Sequence, residues 1–108
     1  MNLEISKTVE KHSTVLTLKG EVDVYTAPKL KEELYSLLRI SNHKVIIDLS
    51  EVEYMDSTGL GVFIGGLKAS KQHQSHLTLR NVTPRLDRLF SITGFAEVVA
   101  ISRGGKSR

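Results

Sequence analysis

Lys44-Val-Ile-Ile-Asp-Leu-Ser-Glu-Val-Glu-Tyr-Met-Asp-Ser-Thr-Gly-Leu-Gly61 is the stretch whose reading decides the fold. Its first six residues, 44 to 49, form a continuous apolar run of the kind expected of a strand covered on both faces. Residues 50 to 56 read as a connection rich in acid. From Ser57 to about Lys71 an apolar, Gly-rich helix follows. The stretch therefore joins a buried strand to a helix.

Upstream, Leu3, Ile5 and Val9 alternate as in a strand, and a second strand runs from Thr14 to Val22 with Thr14, Leu16, Leu18, Gly20 and Val22 on one face. Thr26-Ala27-Pro28 reads as a helix start, because Thr can accept from free backbone amides and Pro in the first turn has no amide to waste. Leu30, Leu34, Leu37 and Leu38 then fall at i, i+4, i+7 and i+8, an amphipathic stripe. Downstream come a strand with Leu77 and Leu79, a helix opened by Thr83-Pro84 and closed by Gly94, and a last strand over Glu97 to Ile101. The order is β-β-α-β-α-β-α-β. Such alternation implies right-handed crossovers and an α/β fold with a mixed, mostly parallel sheet, its first two strands paired as an edge hairpin. In open sheets of this class, function gathers at loops leaving the carboxyl ends of strands. Two such loops stand out, 20 to 25 and 50 to 61.

The chain has 108 residues and a formal charge of +3. That length supports one core without a metal or disulfide staple, and there is no Cys to make one. No apolar run approaches the length of a membrane helix, and the start lacks a secretory signal, so a cytoplasmic protein is expected. Arg103, Lys106 and Arg108 account for all three net charges, which makes 103–108 a basic, disordered tail and 1–102 a neutral folded body. The basic residues Lys68, Lys71, Arg80, Arg85 and Arg88 lack interleaved aromatics and read as solvated faces, so direct nucleic-acid binding is not expected.

Four glycines, Gly59, Gly61, Gly65 and Gly66, stand inside the helix that begins at Ser57. Each costs about 0.8–1 kcal/mol relative to Ala, so together they ask for a compensating reason. One reason is close helix-to-sheet packing. Another, for Gly59 and Gly61 at the exposed helix start, is that bare backbone lets another molecule approach. A P-loop is excluded because Leu67 follows Gly66 where Lys is required, and a hydrolase elbow would need glycine at Met55. Ser57 reads either as an N-cap hydroxyl or as a phosphorylation site, since a helix N-terminus tolerates an anion. Asp23 either caps a turn or shares a surface with Ser57. The four histidines make no metal set, and no cofactor is expected.

Glu21-Val-Asp-Val-Tyr-Thr-Ala-Pro28, Tyr54-Met-Asp-Ser-Thr-Gly-Leu-Gly61 and Arg88-Leu-Phe-Ser-Ile-Thr-Gly94 together resemble the bacterial anti-sigma factor antagonists, single STAS (SpoIIAA-like) domains, and most closely their general-stress, RsbV-like branch. The resemblance spans residues 3 to 101. It implies a protein that is not an enzyme but a ligand and substrate. Unphosphorylated, it binds an anti-sigma factor serine kinase (RsbW-like) and so releases a sigma factor; phosphorylation on Ser57 ends the binding, and a PP2C-type phosphatase restores it. By position, Asp23, Asp56, Ser57, Thr58, Gly59 and Gly61 form the partner-binding set. A STAS module that binds a nucleotide or other small ligand is the alternative, and a serine hydrolase, lacking a spaced His and acid, the more remote one.

Overall fold

The computed structural model describes residues 2–102; the basic tail expected at 103–108 lies outside them. Strands β1 (Leu3–Val9), β2 (Ser13–Val22), β3 (Lys44–Met55), β4 (His76–Arg80) and β5 (Ala100–Ser102) form one sheet, and helices α1 (Ala27–Leu38), α2 (Ser57–His73) and α3 (Pro84–Thr93) connect them, with a 3-10 turn at Phe95–Glu97. The strands lie side by side in chain order. β1 is antiparallel to β2, and every later pair is parallel.

That ordering decides where the core sits. Each crossover steps one place in the same direction, so right-handed connections put all three helices on one face of the sheet. The buried face carries the register rows Leu16–Ile47–Leu79 and Thr14–Val45–Leu77. Against it pack Leu30, Leu34 and Leu38 of α1, Phe63 of α2, and Leu86 and Phe90 of α3. On the opposite face Val15, Ile46 and Thr78 share a row and are only half-buried. The expectation that β3 is covered on both faces is thus corrected: its apolar run is buried on the helix side alone.

β3 also runs further than its sequence suggests. The acid-rich residues 50 to 55, expected as a connection, continue the strand to Met55. Two register shifts against β2 place extra residues on β3, so Leu49, Val52 and Met55 are buried at every third position. A period of three matches neither strand nor helix, which is why the pattern conceals the strand. Since β4 ends opposite Asp48, the prolonged β2–β3 ribbon carries its two loops beyond the rest of the sheet. At the other end of the chain, the strand expected over Glu97–Ile101 is shorter, because Phe95–Glu97 winds into the 3-10 turn and pairing begins at Ala100. Gly94, at φ 82°, closes α3 as anticipated, and Thr83 caps its start by accepting from the Leu86 amide.

Asp48 marks the point where β4 leaves β3. Its carboxylate accepts from the Ser50 amide at 3.0 Å, from Asn81 Nδ2 at 3.0 Å and from Arg80 Nη2 at 3.3 Å. Burial works to raise its pKa, but these hydrogen bonds outweigh it and hold the carboxyl below the usual Asp range. A depressed folded-state pKa stabilises the fold above the unfolded value, and that contribution fades as pH falls through the folded value. Asp48→Asn is therefore expected to lower stability at neutral pH and to flatten the acid limb of a stability-versus-pH curve measured by urea unfolding.

Candidate functional site

The ends of β2 and β3 are joined to each other before either chain turns into its helix. Val22 pairs with Met55, and the Val22 carbonyl accepts the Asp56 amide at 3.2 Å. The two loops singled out in the sequence are therefore one continuous surface.

In the β2–α1 loop, Asp23 is 6% exposed and organises the turn. Its Oδ1 accepts from the Tyr25 amide at 2.9 Å and the Thr26 amide at 3.1 Å. Thr26 makes no cap for α1, contrary to its expected role; its hydroxyl donates to the Glu21 carbonyl at 2.8 Å and accepts from the Asp23 amide at 3.0 Å. Asp23 caps the turn instead, since both amides that its side chain accepts precede the helix, while its backbone carbonyl takes the Ala27 amide at 2.8 Å. What this turn presents outward is Val24 and Tyr25, the latter 75% exposed.

At the β3–α2 junction the N-cap is Asp56, whose Oδ1 accepts from the Gly59 amide at 2.8 Å. The N-cap reading of Ser57 is corrected accordingly. Ser57 is the first helical residue, exposed, and its hydroxyl is uncommitted among the described residues. Thr58 is exposed beside it. The α2 residues that follow Ser57 at helical spacing, Gly61, Ile64 and Lys68, continue an exposed face.

The four glycines of α2 separate into two groups. Gly59 is buried rather than exposed: a Cβ there would stand 2.5 Å from the Val22 carbonyl oxygen and 2.7 Å from Val22 Cγ1. Gly65 and Gly66 meet Tyr35, Leu34 and Leu38, so their reason is close packing against α1, not against the sheet as the sequence suggested. Gly61 alone of the four has no atom within 4 Å of where a side chain would begin. Its absence of a side chain serves nothing inside the fold.

Gly61 opens instead onto a groove of ≈ 490 Å³ between α1 and the first turns of α2, with Val24, Pro28, Lys31, Tyr35, Thr58 and Val62 around it. Tyr35 spans the two helices, its hydroxyl donating to the Val62 carbonyl at 2.9 Å, and burial pushes its phenol pKa up. The Lys31 ammonium lies 5.6 Å from the centre of the Tyr35 ring, a cation–π distance.

Of the residues named from the sequence, Asp56, Ser57, Thr58 and Gly61 meet at one surface, while Asp23 and Gly59 are buried and shape it from beneath. Sequence reading passed over Tyr25, Tyr54 and Ile64, all exposed apolar groups at this end of the protein or on the same helix face, and the groove residues Lys31 and Tyr35. Ile64 was findable by stepping seven residues on from Ser57. The groove depends on how two helices cross and leaves no local pattern. Among the described residues no helix is long and apolar enough to cross a membrane, and no group of three His, Asp or Glu side chains is placed to hold a metal.

The contrast between two glycines is measurable. Gly61→Ala is expected to stabilise the protein by about 0.8–1 kcal/mol, the ordinary helix-propensity difference. Gly59→Ala is expected to destabilise it by about 1–3 kcal/mol, because Val22 backbone must move. Equilibrium unfolding of the two variants in urea checks both signs.

The STAS domain family matches residues 2–104. An anti-sigma-B factor antagonist of Listeria monocytogenes is 45% identical over 102 residues, covering 94% of this chain and 88% of that one. One of Staphylococcus epidermidis is 40% identical over 104 residues, 96% of each chain. Among solved structures, an anti-sigma-factor antagonist (STAS) domain protein from Planctomyces limnophilus superposes with a TM-score of 0.80 at 22% identity, covering 95% of this chain and 93% of that one. The Bacillus cell fate determinant SpoIIAA in its phosphorylated form gives 0.72 at 17% identity, covering 98% and 96%. At those identities the structures speak for the fold; the whole-length relatives above 30% identity speak for the family. The chain belongs to the anti-sigma factor antagonist family of STAS-domain proteins.

Proposed function

We propose that this protein is a phosphorylation-switched antagonist of an anti-sigma factor. Unphosphorylated, it binds an anti-sigma factor that is also a serine kinase, displaces the sigma factor and so promotes transcription. The observation that carries this reading is the placement of Ser57, an exposed and uncommitted hydroxyl on the first turn of a helix whose cap is already supplied by Asp56. A residue with no structural duty can be modified without unfolding its helix.

The reaction is phosphoryl transfer. The kinase forms the bond from Ser57 Oγ to the γ-phosphorus of ATP, the bond to the bridging oxygen breaks, ADP leaves, and the hydroxyl proton passes to the kinase's base or to water. The product carries about −1.5 to −2 additional charge at neutral pH. Within the chain that charge is tolerated, because the N-terminal end of α2 offers free amides and a favourable dipole. Against a close-fitting partner it is not, because an anion without a counter-charge must be desolvated on docking. A PP2C-type phosphatase reverses the modification. The protein itself performs no catalysis; it acts in the cytoplasm, as substrate and ligand in a stress-response pathway. The reading as a small-ligand STAS module has no support from the relatives, which are named for antagonism of an anti-sigma factor.

Incubation with ATP and the anti-sigma factor kinase of the same organism, followed by peptide mass spectrometry, is expected to place one phosphate on Ser57 and none on Ser57→Ala. Phosphate on the Ser57→Ala variant, or none on the wild type, would contradict the proposal.

A further inference from the structure

We infer that a cleft at the amino ends of β3 and β4, at the far end of α2 from Ser57, is a binding site for a small organic phosphate, a phosphomonoester with a compact apolar body. At ~1.5 Å per residue, Lys71 on its rim stands about 21 Å along α2 from Ser57. The cleft exists because β5 starts late. Phe95–Glu97 winds into the 3-10 turn, and β5 first pairs at Ala100, opposite Thr78. His76 and Leu77, the first two residues of β4, therefore have no β5 residue beside them. The space left there, between the last turns of α2 and Val98, is a cavity of ≈ 490 Å³, a size that suits a small-molecule ligand.

Charge selects an anion. Three basic side chains from three elements converge on the cleft, Lys44 from β3, Lys71 from α2 and His76 from β4, and Lys44 and His76 are direct partners in the β3–β4 register. Among the described residues no carboxylate lines the cleft, and none of the three basic groups has an ion-pair partner. Lys71 has a local reason for its place, since the last turn of a helix favours a cation. Lys44 and His76, at strand starts, have no such reason. The floor is prepared in the same sense. Ser70 and Ser75, both buried, donate their hydroxyls to the Leu67 carbonyl at 2.6 Å and the Leu38 carbonyl at 2.7 Å. The Ser70 carbonyl in turn accepts the Gln74 and Ser75 amides. Carbonyls that would repel an anion are thus engaged by the chain's own donors. Two ammonium groups and an imidazole N–H suit a phosphate dianion better than a single carboxylate. The remaining walls, Leu67, Leu77 and Val98, are aliphatic, so the body of the ligand is apolar. Among the described residues no aromatic ring lines the cleft to stack a nucleobase, which favours a simple phosphomonoester over a nucleotide.

The test uses the full-length, unphosphorylated protein with no kinase present, so its outcome is independent of the proposed function. Phenyl phosphate is titrated into isotope-labelled protein in ~0.15 M salt, which screens loose surface attraction, and amide signals are followed by NMR. Signals of Lys44, Lys71, His76 and Val98 are expected to shift saturably, with a Kd on the order of 1 mM. Inorganic phosphate, lacking the apolar body, and benzoate, lacking the dianion, are expected to shift the same signals with weaker affinity. A double variant, Lys44→Gln with Lys71→Gln, is expected to weaken phenyl phosphate binding about tenfold or more. The charge-matched pair Lys29→Gln with Arg88→Gln, exposed on α1 and α3, is expected to leave the affinity unchanged. All the substituted side chains are exposed, and superimposable circular dichroism spectra check that each variant is folded. Val98→Asp, which puts a carboxylate on the apolar wall, is expected to abolish saturable binding. Shifts that do not saturate, or an equal loss in both double variants, would mean an adventitious ion only and overturn the inference. So would saturable shifts confined to residues outside the cleft, or tighter binding of ATP than of phenyl phosphate, which would make the site a nucleotide site.

Discussion

The approach of α2 to the end of β2 is the constraint on which the rest of the site depends. One carbonyl, that of Val22, accepts the Asp56 amide and also occupies the space a Cβ on Gly59 would need. The carbonyl leaves no room for a side chain at Gly59, and the approach brings two separate loops into one surface. It also fixes the direction of α2, so that Ser57, Gly61 and Ile64 face outward while Leu60 and Phe63 face the core. Asp56 completes the arrangement by capping the helix from its own side chain, which frees the serine beside it. Exposure of Ser57 is thus a consequence of how the helix is anchored.

The same logic orders the facing loop. A single carboxylate, Asp23, accepts two amides and leaves Val24 and Tyr25 standing in solvent. Both aspartates nearest the site are therefore positioning groups, one for each loop, and the surface around Ser57 consists of hydroxyls, bare glycine backbone and apolar side chains, with Lys31 in the adjoining groove. A phosphate is the one large electrostatic change such a surface can undergo. It would arrive at the amino end of a helix, where the fold accepts it, and in the middle of a contact, where a partner does not. Under the proposed function, local tolerance combined with remote intolerance would let one covalent event act as a switch.

Much of this was legible in the sequence, and the exceptions have physical causes. Alternation in β2 and the leucine stripe of α1 disclosed their own structure, because one face of each is buried and the other is not. Residues 50 to 55 hid a strand, because the bulges on β3 give burial at every third residue. The outer face of β3 appeared covered because Ile46 interrupts no apolar run, although strand order alone, unreadable from any one segment, decides that helices lie only on the other side. The motif residues Ser57 and Asp56 were found, but with the capping role on the wrong one, since both residue types cap helices and only geometry chooses. The distinction between Gly59 and Gly61 could not be read at all: it depends on what lies opposite each, one facing a backbone carbonyl and the other open space.

The central claim, that one phosphate on Ser57 governs partner binding without altering the fold, is tested most directly by calorimetric titration of the anti-sigma factor kinase with unmodified and Ser57-phosphorylated protein, alongside their circular dichroism spectra. The account predicts a loss of affinity of at least about a hundredfold on phosphorylation, from the uncompensated charge, with superimposable spectra. Equal affinities for the two forms, or a loss of affinity accompanied by loss of helical signal, would contradict it.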